Sequence, residues 1–198
     1  MQTIENYARS YISLDRFNHT LCVANEARKI GALLGLSDTE TDELYIAGLL
    51  HDVTKEFNFE KQLELAKELS IPLTCDDLSS PAVLHARTGA YFAKRDFPML
   101  SERIFDAIYC HTTGKEQMSL FDKILYLADY IEPGRKHESC ISVRKYFYDE
   151  ILSSDNKPLT LDKTLLLSYT FTIEYLVKNN RYIHIDTVKS RNDIIKTY

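Results

Sequence analysis

An all-α fold follows from three properties of this chain. Apolar residues recur at helical spacing through almost its whole length. Glycine and proline number only 6 and 5, too few for the many turns of a β-rich protein of 198 residues. No repeat, low-complexity tract or shift of composition divides it, so residues 1–198 are expected to form a single helical domain.

The elements follow in order. Ile4, Tyr7, Ala8, Tyr11 and Ile12 make one apolar stripe, ended by a turn at Ser13-Leu14-Asp15. A second helix is predicted from about residue 16 to 34, with Val23, Ala27, Ile30 and Leu34 on one side and Gly35 near its end. Ser37-Asp38-Thr39-Glu40 starts a third helix, whose apolar run Leu44-Tyr45-Ile46-Ala47-Gly48-Leu49-Leu50 ends in the doublet His51-Asp52. Residues 59–69 are amphipathic and charged on the outer face; Ile71-Pro72 breaks that helix, and the segment on to Pro81 is expected to be loop. Further helices are predicted over about 82–97, 101–111, 120–131, 143–152, 159–179 and 186–196.

Composition narrows the partners. A hydrophobic content of 44% and a charged content of 27% are those of an ordinary globular protein, long enough for a well-buried core. The net charge of −5, with no run of Lys or Arg, leaves no footprint for a nucleic-acid polymer or an anionic membrane. An anionic substrate would therefore be held by a metal or by a few local cations. There is no stretch long enough to span a bilayer and no signal-peptide pattern, so a cytoplasmic location is expected. Cys22, Cys75, Cys110 and Cys140 are scattered without a CxxC pair, which fits reduced thiols. Cys110 precedes a histidine, but buried packing is its simpler role.

A set of polar residues sits where the helical pattern predicts the interior. His19 lies one turn before Val23, and His85 opens the segment with Gly89 and Ala90. His111 follows Ile104, Ala107 and Ile108 on their face, and Asp129 is one turn beyond Leu125. Singly, each has an ordinary explanation: a hydrogen-bonded core histidine, or a group capping a helix end. Together with His51 and Asp52 they make four histidines and two aspartates in the order His, His-Asp, His, His, Asp. Buried ionised aspartates demand compensation. Nitrogen and oxygen donors without thiolate suit iron, manganese, zinc or magnesium, and a histidine-rich set favours the transition metals. Four imidazoles and two carboxylates can hold two ions, with Asp52 as the bridge. Two-metal sites with ions ~3.5–4 Å apart generate hydroxide near neutral pH and stabilise attacking and leaving phosphoryl oxygens.

At this point the chain resembles the HD-domain metal-dependent phosphohydrolases and, among them, the YqeK-type symmetrical diadenosine tetraphosphatases. The matching stretches are Arg16-Phe17-Asn18-His19, Leu50-His51-Asp52-Val53-Thr54-Lys55, Leu84-His85 with Gly89-Ala90, and His111-Thr112-Thr113-Gly114. The longest is Asp122-Lys123-Ile124-Leu125-Tyr126-Leu127-Ala128-Asp129-Tyr130-Ile131-Glu132-Pro133-Gly134-Arg135. They span a motif-bearing core of about 14–135, with C-terminal helices over about 143–198 resembling the family more weakly. Thr54, where a smaller residue is expected, and the run Lys136-His137-Glu138-Ser139-Cys140 depart from the pattern.

The resemblance implies a single HD-domain helical bundle with a dinuclear centre at His19, His51, Asp52, His85, His111 and Asp129. His19, His51 and Asp129 would hold one ion, His85 and His111 the other, and Asp52 both. The two divalent transition-metal ions would be iron first, with manganese, cobalt or zinc as alternatives. The activity implied is cleavage of diadenosine tetraphosphate to two ADP by attack of metal-bound hydroxide. Asp52 and Lys55 would be catalytic, Lys55 neutralising transition-state charge. Arg16 would face the same cleft or simply start its helix, and Arg135 would grip phosphate bidentately or form a surface salt bridge with Glu132 or Glu138. Thr112, Thr113 and Gly114 would offer it hydroxyls and backbone N–H groups. Asp122 is expected to orient a ligand histidine or fix Lys123, and His137 and His184 to be ordinary surface histidines. Tyr146-Phe147-Tyr148 fits core packing better than an interface, and a homodimer is left open. The competing readings are another HD nucleotide phosphohydrolase, a di-iron oxygenase and a non-catalytic nucleotide-binding module.

Overall fold

The computed structural model describes residues 2–196. Every regular element among them is helical: α1 (Gln2–Tyr11), α2 (Leu14–Leu33), α3 (Asp38–Leu50), α4 (Phe59–Glu68), α5 (Cys75–Ser79), α6 (Leu84–Asp96), α7 (Glu102–Cys110), α8 (Leu120–Ile131), α9 (Glu138–Ile151), α10 (Lys157–Lys178) and α11 (Ile185–Ile195), with a 3-10 turn at Pro81–Val83. None is long and apolar enough to cross a membrane.

Local chemistry sets most boundaries. Ser13 caps α2 by accepting from the Arg16 N–H, and Ser37 with Glu40 forms a reciprocal capping box at α3. A second such box, Ser119 with Asp122, starts α8. The segment before Pro81, expected to be loop, contains α5, and the 3-10 turn follows it at Pro81–Val83. Thr74 and Asp77 supply a capping box there, on a helix too short to show a periodic stripe. Helix α9 begins five residues before the predicted start, because His137 caps it through Nδ1 and its first turns carry little buried apolar surface.

The core is layered around α2, α3, α7 and α8. Val23, Ala27 and Ile30 of α2 meet Leu44, Ala47 and Leu50 of α3, and α7 and α8 close the cluster through Ile104, Ile108, Ile124, Leu125 and Leu127. Phe147 of α9 and Leu165 and Tyr169 of α10 extend it, all three fully buried. The Tyr-rich stretch therefore packs largely inward: Phe147 is core, and the Tyr148 hydroxyl donates to buried Glu26 at 2.6 Å.

One polar cluster ties the periphery to this frame. Asp77 accepts from Arg87 Nε at 3.0 Å and lies 3.2 Å from His184 Nε2, and Arg87 also donates to the Tyr109 carbonyl and to Asp186 Oδ2. His184, expected at the surface, is instead 4% exposed and caps α11. His137 is exposed, as expected. Burial would raise the Asp77 carboxyl, but hydrogen bonds from His184 and Thr74 and the Arg87 charge hold it below the ordinary range. A carboxyl depressed on folding stabilises above its unfolded pKa of about 4, and that contribution is lost as pH falls through the folded value. Asp77→Asn is expected to lose about 3 kcal/mol at pH 7. It should also flatten the decline in stability below about pH 4. Urea denaturation of both proteins at pH 7 and pH 3.5 measures this, and parallel pH profiles would refute it.

Candidate metal centre

Five helices deliver the six expected ligands to one place. His19 projects from α2, His51 is the C-cap of α3 and Asp52 follows it in the turn. His85 lies in the first turn of α6, His111 is the C-cap of α7, and Asp129 is in the last turn of α8. Helix ends suit this task because the last carbonyls of a helix have no partner within it. His51 Nδ1 lies 2.7 Å from the Gly48 carbonyl oxygen, and His111 Nδ1 lies 2.7 Å from that of Ile108. Each Nδ1–H donates to its carbonyl, which leaves the Nε2 lone pair aimed at the cluster.

The carboxylate of Asp52, 3% exposed, sits in the middle. Its Oδ2 is 3.7 Å from His19 Nε2 and 3.4 Å from His51 Nε2; its Oδ1 is 3.1 Å from His85 Nε2 and 3.7 Å from His111 Nε2. Asp129 Oδ1 is 3.1 Å from His19 Nε2 and 3.8 Å from His51 Nε2. Two triads have donor atoms all within 4.8 Å of one another, His19-His51-Asp129 and His51-Asp52-His111. His85 Nε2 adjoins the second, 3.2 Å from His111 Nε2.

The donors fit a divalent cation. His19 Nε2 and His51 Nε2 are buried and make no hydrogen bond among the described residues, although both rings are held through Nδ1. Burial would raise the Asp52 carboxyl, but the His51 charge and the imidazoles of His111, His51 and His85 around it hold it well below its usual range. Asp129, also pushed up by burial, is held low by Arg135, His19 and His51. Burial drives His111 down, and burial with the charges of Lys55 and His111 takes His85 down to about 4. His51 moves the other way, because Asp52 and Asp129 outweigh its burial. The carboxylates are thus ionised and two imidazoles neutral near pH 7, the forms that bind metal.

Cations ring the cluster. Arg16 Nη1 donates to Asp52 Oδ2 at 3.0 Å, and Arg135 Nη2 donates to Asp129 Oδ1 at 2.5 Å. Lys55 Nζ lies 3.2 Å from His85 Nε2, and burial lowers its pKa. Thr112 lines the cavity beside Lys55, His111 and Arg135. Thr113 and Gly114 do not join them. Thr113 is 1% exposed and its hydroxyl donates to the Gly114 carbonyl; the Gly114 N–H is given to the Cys110 carbonyl. A Cβ on Gly114 would come 2.1 Å from the Tyr169 hydroxyl, so this turn is packed against α10 rather than open to a phosphate. Asp122 neither orients a ligand nor fixes Lys123: it caps α8 and pairs with Lys115 at 3.1 Å, while Lys123 pairs with Asp162 at 2.6 Å. Cys110 is fully buried among apolar neighbours. Thr54 has a structural use, donating to the His85 carbonyl at 3.1 Å.

Sequence reasoning gave Glu132 no part in the centre. It is 2% exposed, and its Oε1 lies 3.2 Å from His19 Nδ1, so it orients that ring. Its signal was only its place three residues after Asp129, where a helix end makes a carboxylate look like surface. Glu132→Gln is expected to weaken metal binding about 10–100-fold while leaving the fold intact. Metal titration followed by calorimetry reads this, and unchanged affinity would show that His19 needs no such partner.

The HD domain family matches residues 16–134. The chain is 30% identical over 189 residues to a symmetrical bis(5'-nucleosyl)-tetraphosphatase of Halalkalibacterium halodurans, covering 94% of this chain and 92% of that one. It is 31% identical over 180 residues to the protein of that name from Bacillus subtilis, covering 91% and 89%. A solved structure from Clostridium acetobutylicum, described as a predicted HD superfamily hydrolase involved in NAD metabolism, superposes with a TM-score of 0.88 at 30% identity. That match covers 100% of this chain and 97% of the other.

Proposed function

Since the chain belongs to the HD domain family and, within it, to the symmetrical bis(5'-nucleosyl)-tetraphosphatases, we propose that it hydrolyses diadenosine tetraphosphate between the two central phosphates, giving two ADP. The observation that carries this reading is the placement of Asp52, whose two oxygens face separate pairs of imidazoles. That arrangement supports two ions: His19, His51 and Asp129 for one, His85 and His111 for the other, and Asp52 for both. The resemblance to the family points to iron; the nitrogen and oxygen donors suit manganese, cobalt and zinc as well. Bound ions supply Lewis acidity, lowering the pKa of water at the centre and drawing charge from phosphoryl oxygens.

The chain's own cations do the rest. Arg135 lines two adjoining cavities, with Arg16 in one and Lys55 in the other, where the global charge of −5 would otherwise repel a polyphosphate. Arg135 is held through both Nε and Nη2 by Asp129, so its guanidinium plane is fixed before substrate arrives. Lys55, buried against His85, sits where negative charge grows as the anhydride bond breaks.

Product analysis of diadenosine tetraphosphate incubated with protein loaded in turn with ferrous iron, manganese and zinc tests the reading, with His51→Ala beside it. ADP as the sole product, absent in the variant, is expected. AMP plus ATP would move the cut to another bond. No cleavage at occupied sites would favour a different phosphate ester or oxygen chemistry.

A further inference from the structure

Of the grooves that adjoin the cavity above the cluster, itself about 290 Å³, two contrast in their lining. One is a polar groove of about 550 Å³ that shares Arg135 and Cys140 with it, carries Arg16 and Lys136, and contains no tyrosine or phenylalanine. The other is a groove of about 410 Å³ that shares Ala82, Val83, Thr112 and Thr172 with the central cavity. It is walled by the 3-10 turn on one side and by the end of α10 and the following loop on the other.

Two independent features mark this second groove as a seat for a ligand. Tyr175 and Tyr182 line it and are each 52% exposed, so two aromatic rings on the same groove are open to a ligand. The Tyr182 hydroxyl donates to Asp76 at 2.5 Å, which holds its ring in place. In addition, Ser80 and Thr112 line the groove, and their hydroxyl oxygens lie buried behind its wall with no hydrogen-bond partner among the described residues, within reach of the groove by a turn of the side chain; Ser80 as a whole is only 8% exposed. Buried hydroxyls without partners are costly and scarce. A ligand that offers polar edges to both and a flat ring to the tyrosines removes that cost.

We infer that this groove seats one nucleoside of the substrate, its base against Tyr175 and Tyr182 and its polar edge or sugar hydroxyls on Ser80 and Thr112. The inference rests on the dinucleotide reading above and adds to it where one adenosine goes. Thr112 follows His111 directly and lies in both cavities, so a nucleoside placed there hands its phosphates to the metal centre without a gap. Stacking on aromatic rings accepts a base of any identity, whereas the polar groove sets Arg16, Arg135 and Lys136 beside Asp15 and Glu56 and has no tyrosine or phenylalanine ring. The two halves of a symmetric substrate therefore meet unlike walls.

Calorimetric titration of the purified protein with ADP, and with tripolyphosphate as a probe lacking a base, tests this. Tyr175→Ala and Tyr182→Ala are each expected to weaken ADP binding about tenfold and to leave tripolyphosphate within about twofold. Tyr182→Phe, which keeps the ring, should retain most of the affinity, and Ser80→Ala should weaken ADP about fivefold. Unchanged ADP affinity in both alanine variants, absence of ADP binding by the parent protein, or an equal loss for tripolyphosphate would overturn the assignment. The product assay separates it from the proposed activity. Cleavage to ADP by tyrosine variants that bind ADP normally would remove the groove and keep the reaction. Tyrosine-dependent ADP binding without cleavage would do the reverse.

Discussion

The Asp52→Ala variant is expected to lose at least about a thousandfold in hydrolysis of diadenosine tetraphosphate, roughly 4 kcal/mol of transition-state stabilisation. It should also lose most of its bound metal. The size of the effect follows from position. Asp52 alone touches all four imidazoles: its Oδ2 serves His19 and His51, its Oδ1 His85 and His111. Removing it would take one donor from each of the two proposed ions and delete the negative charge that sits among Arg16 and the histidines. Mutual repulsion of two cations then has no anionic bridge to offset it. A ligand of one ion only, such as His85, is expected to cost one equivalent of metal when changed to alanine, against two for Asp52. Metal content by atomic spectroscopy beside turnover distinguishes the cases. An Asp52→Ala protein that keeps both ions, or loses only one, would remove the aspartate from the bridging place.

How much of this was legible in the sequence depends on whether the signal was local. The convergence of the six proposed ligands was legible because each sits one turn from apolar residues on a helical stripe, and because a polar residue on such a stripe demands a partner. Helices with a cap and a buried face, such as α3 and α8, were legible for the same reason. Elements that lack either were not. Helix α5 has only five residues, and the first turns of α9 are exposed and polar. His184 shows the other limit: its partner Asp77 is 107 residues away, so nothing near it in the chain announces burial. Thr113 and Gly114 failed in the opposite sense. Their types suit phosphate binding, but the turn they form is packed against Tyr169 and Ser190, which local spacing does not disclose. The grooves lie beyond sequence reading altogether, because they arise between the 3-10 turn, α8 and α10.

Gly48→Ala is expected to destabilise the protein by about 3 kcal/mol, a fall of roughly 6–12 °C in Tm for a chain of this size. By propensity alone the change should help, since alanine is favoured over glycine in a helix by about 1 kcal/mol. Contact decides against it. A Cβ on Gly48 of α3 would lie 2.5 Å from Ala24 Cα, 2.8 Å from Ala24 N and 3.0 Å from Ala24 Cβ, so backbone of α2 stands in its way and cannot rotate aside. The two helices must part, and they carry His19 and His51, whose ring centroids are 5.5 Å apart. Gly48 also supplies the carbonyl that orients His51. Metal affinity should therefore fall together with stability. Gly31→Ala in α2 is the control within the same helix pair. Its Cβ would meet Leu44 Cδ1 at 2.6 Å and Thr41 Cγ2 at 3.3 Å, ends of side chains that can turn away. Its cost should stay within about 1 kcal/mol, with propensity offsetting part of it. Denaturation and metal titration of both variants compare a backbone clash with a side-chain clash at one interface. Similar losses in the two would mean that α2 and α3 yield as whole helices, and that the close approach at Gly48 does not set the spacing of the ligands.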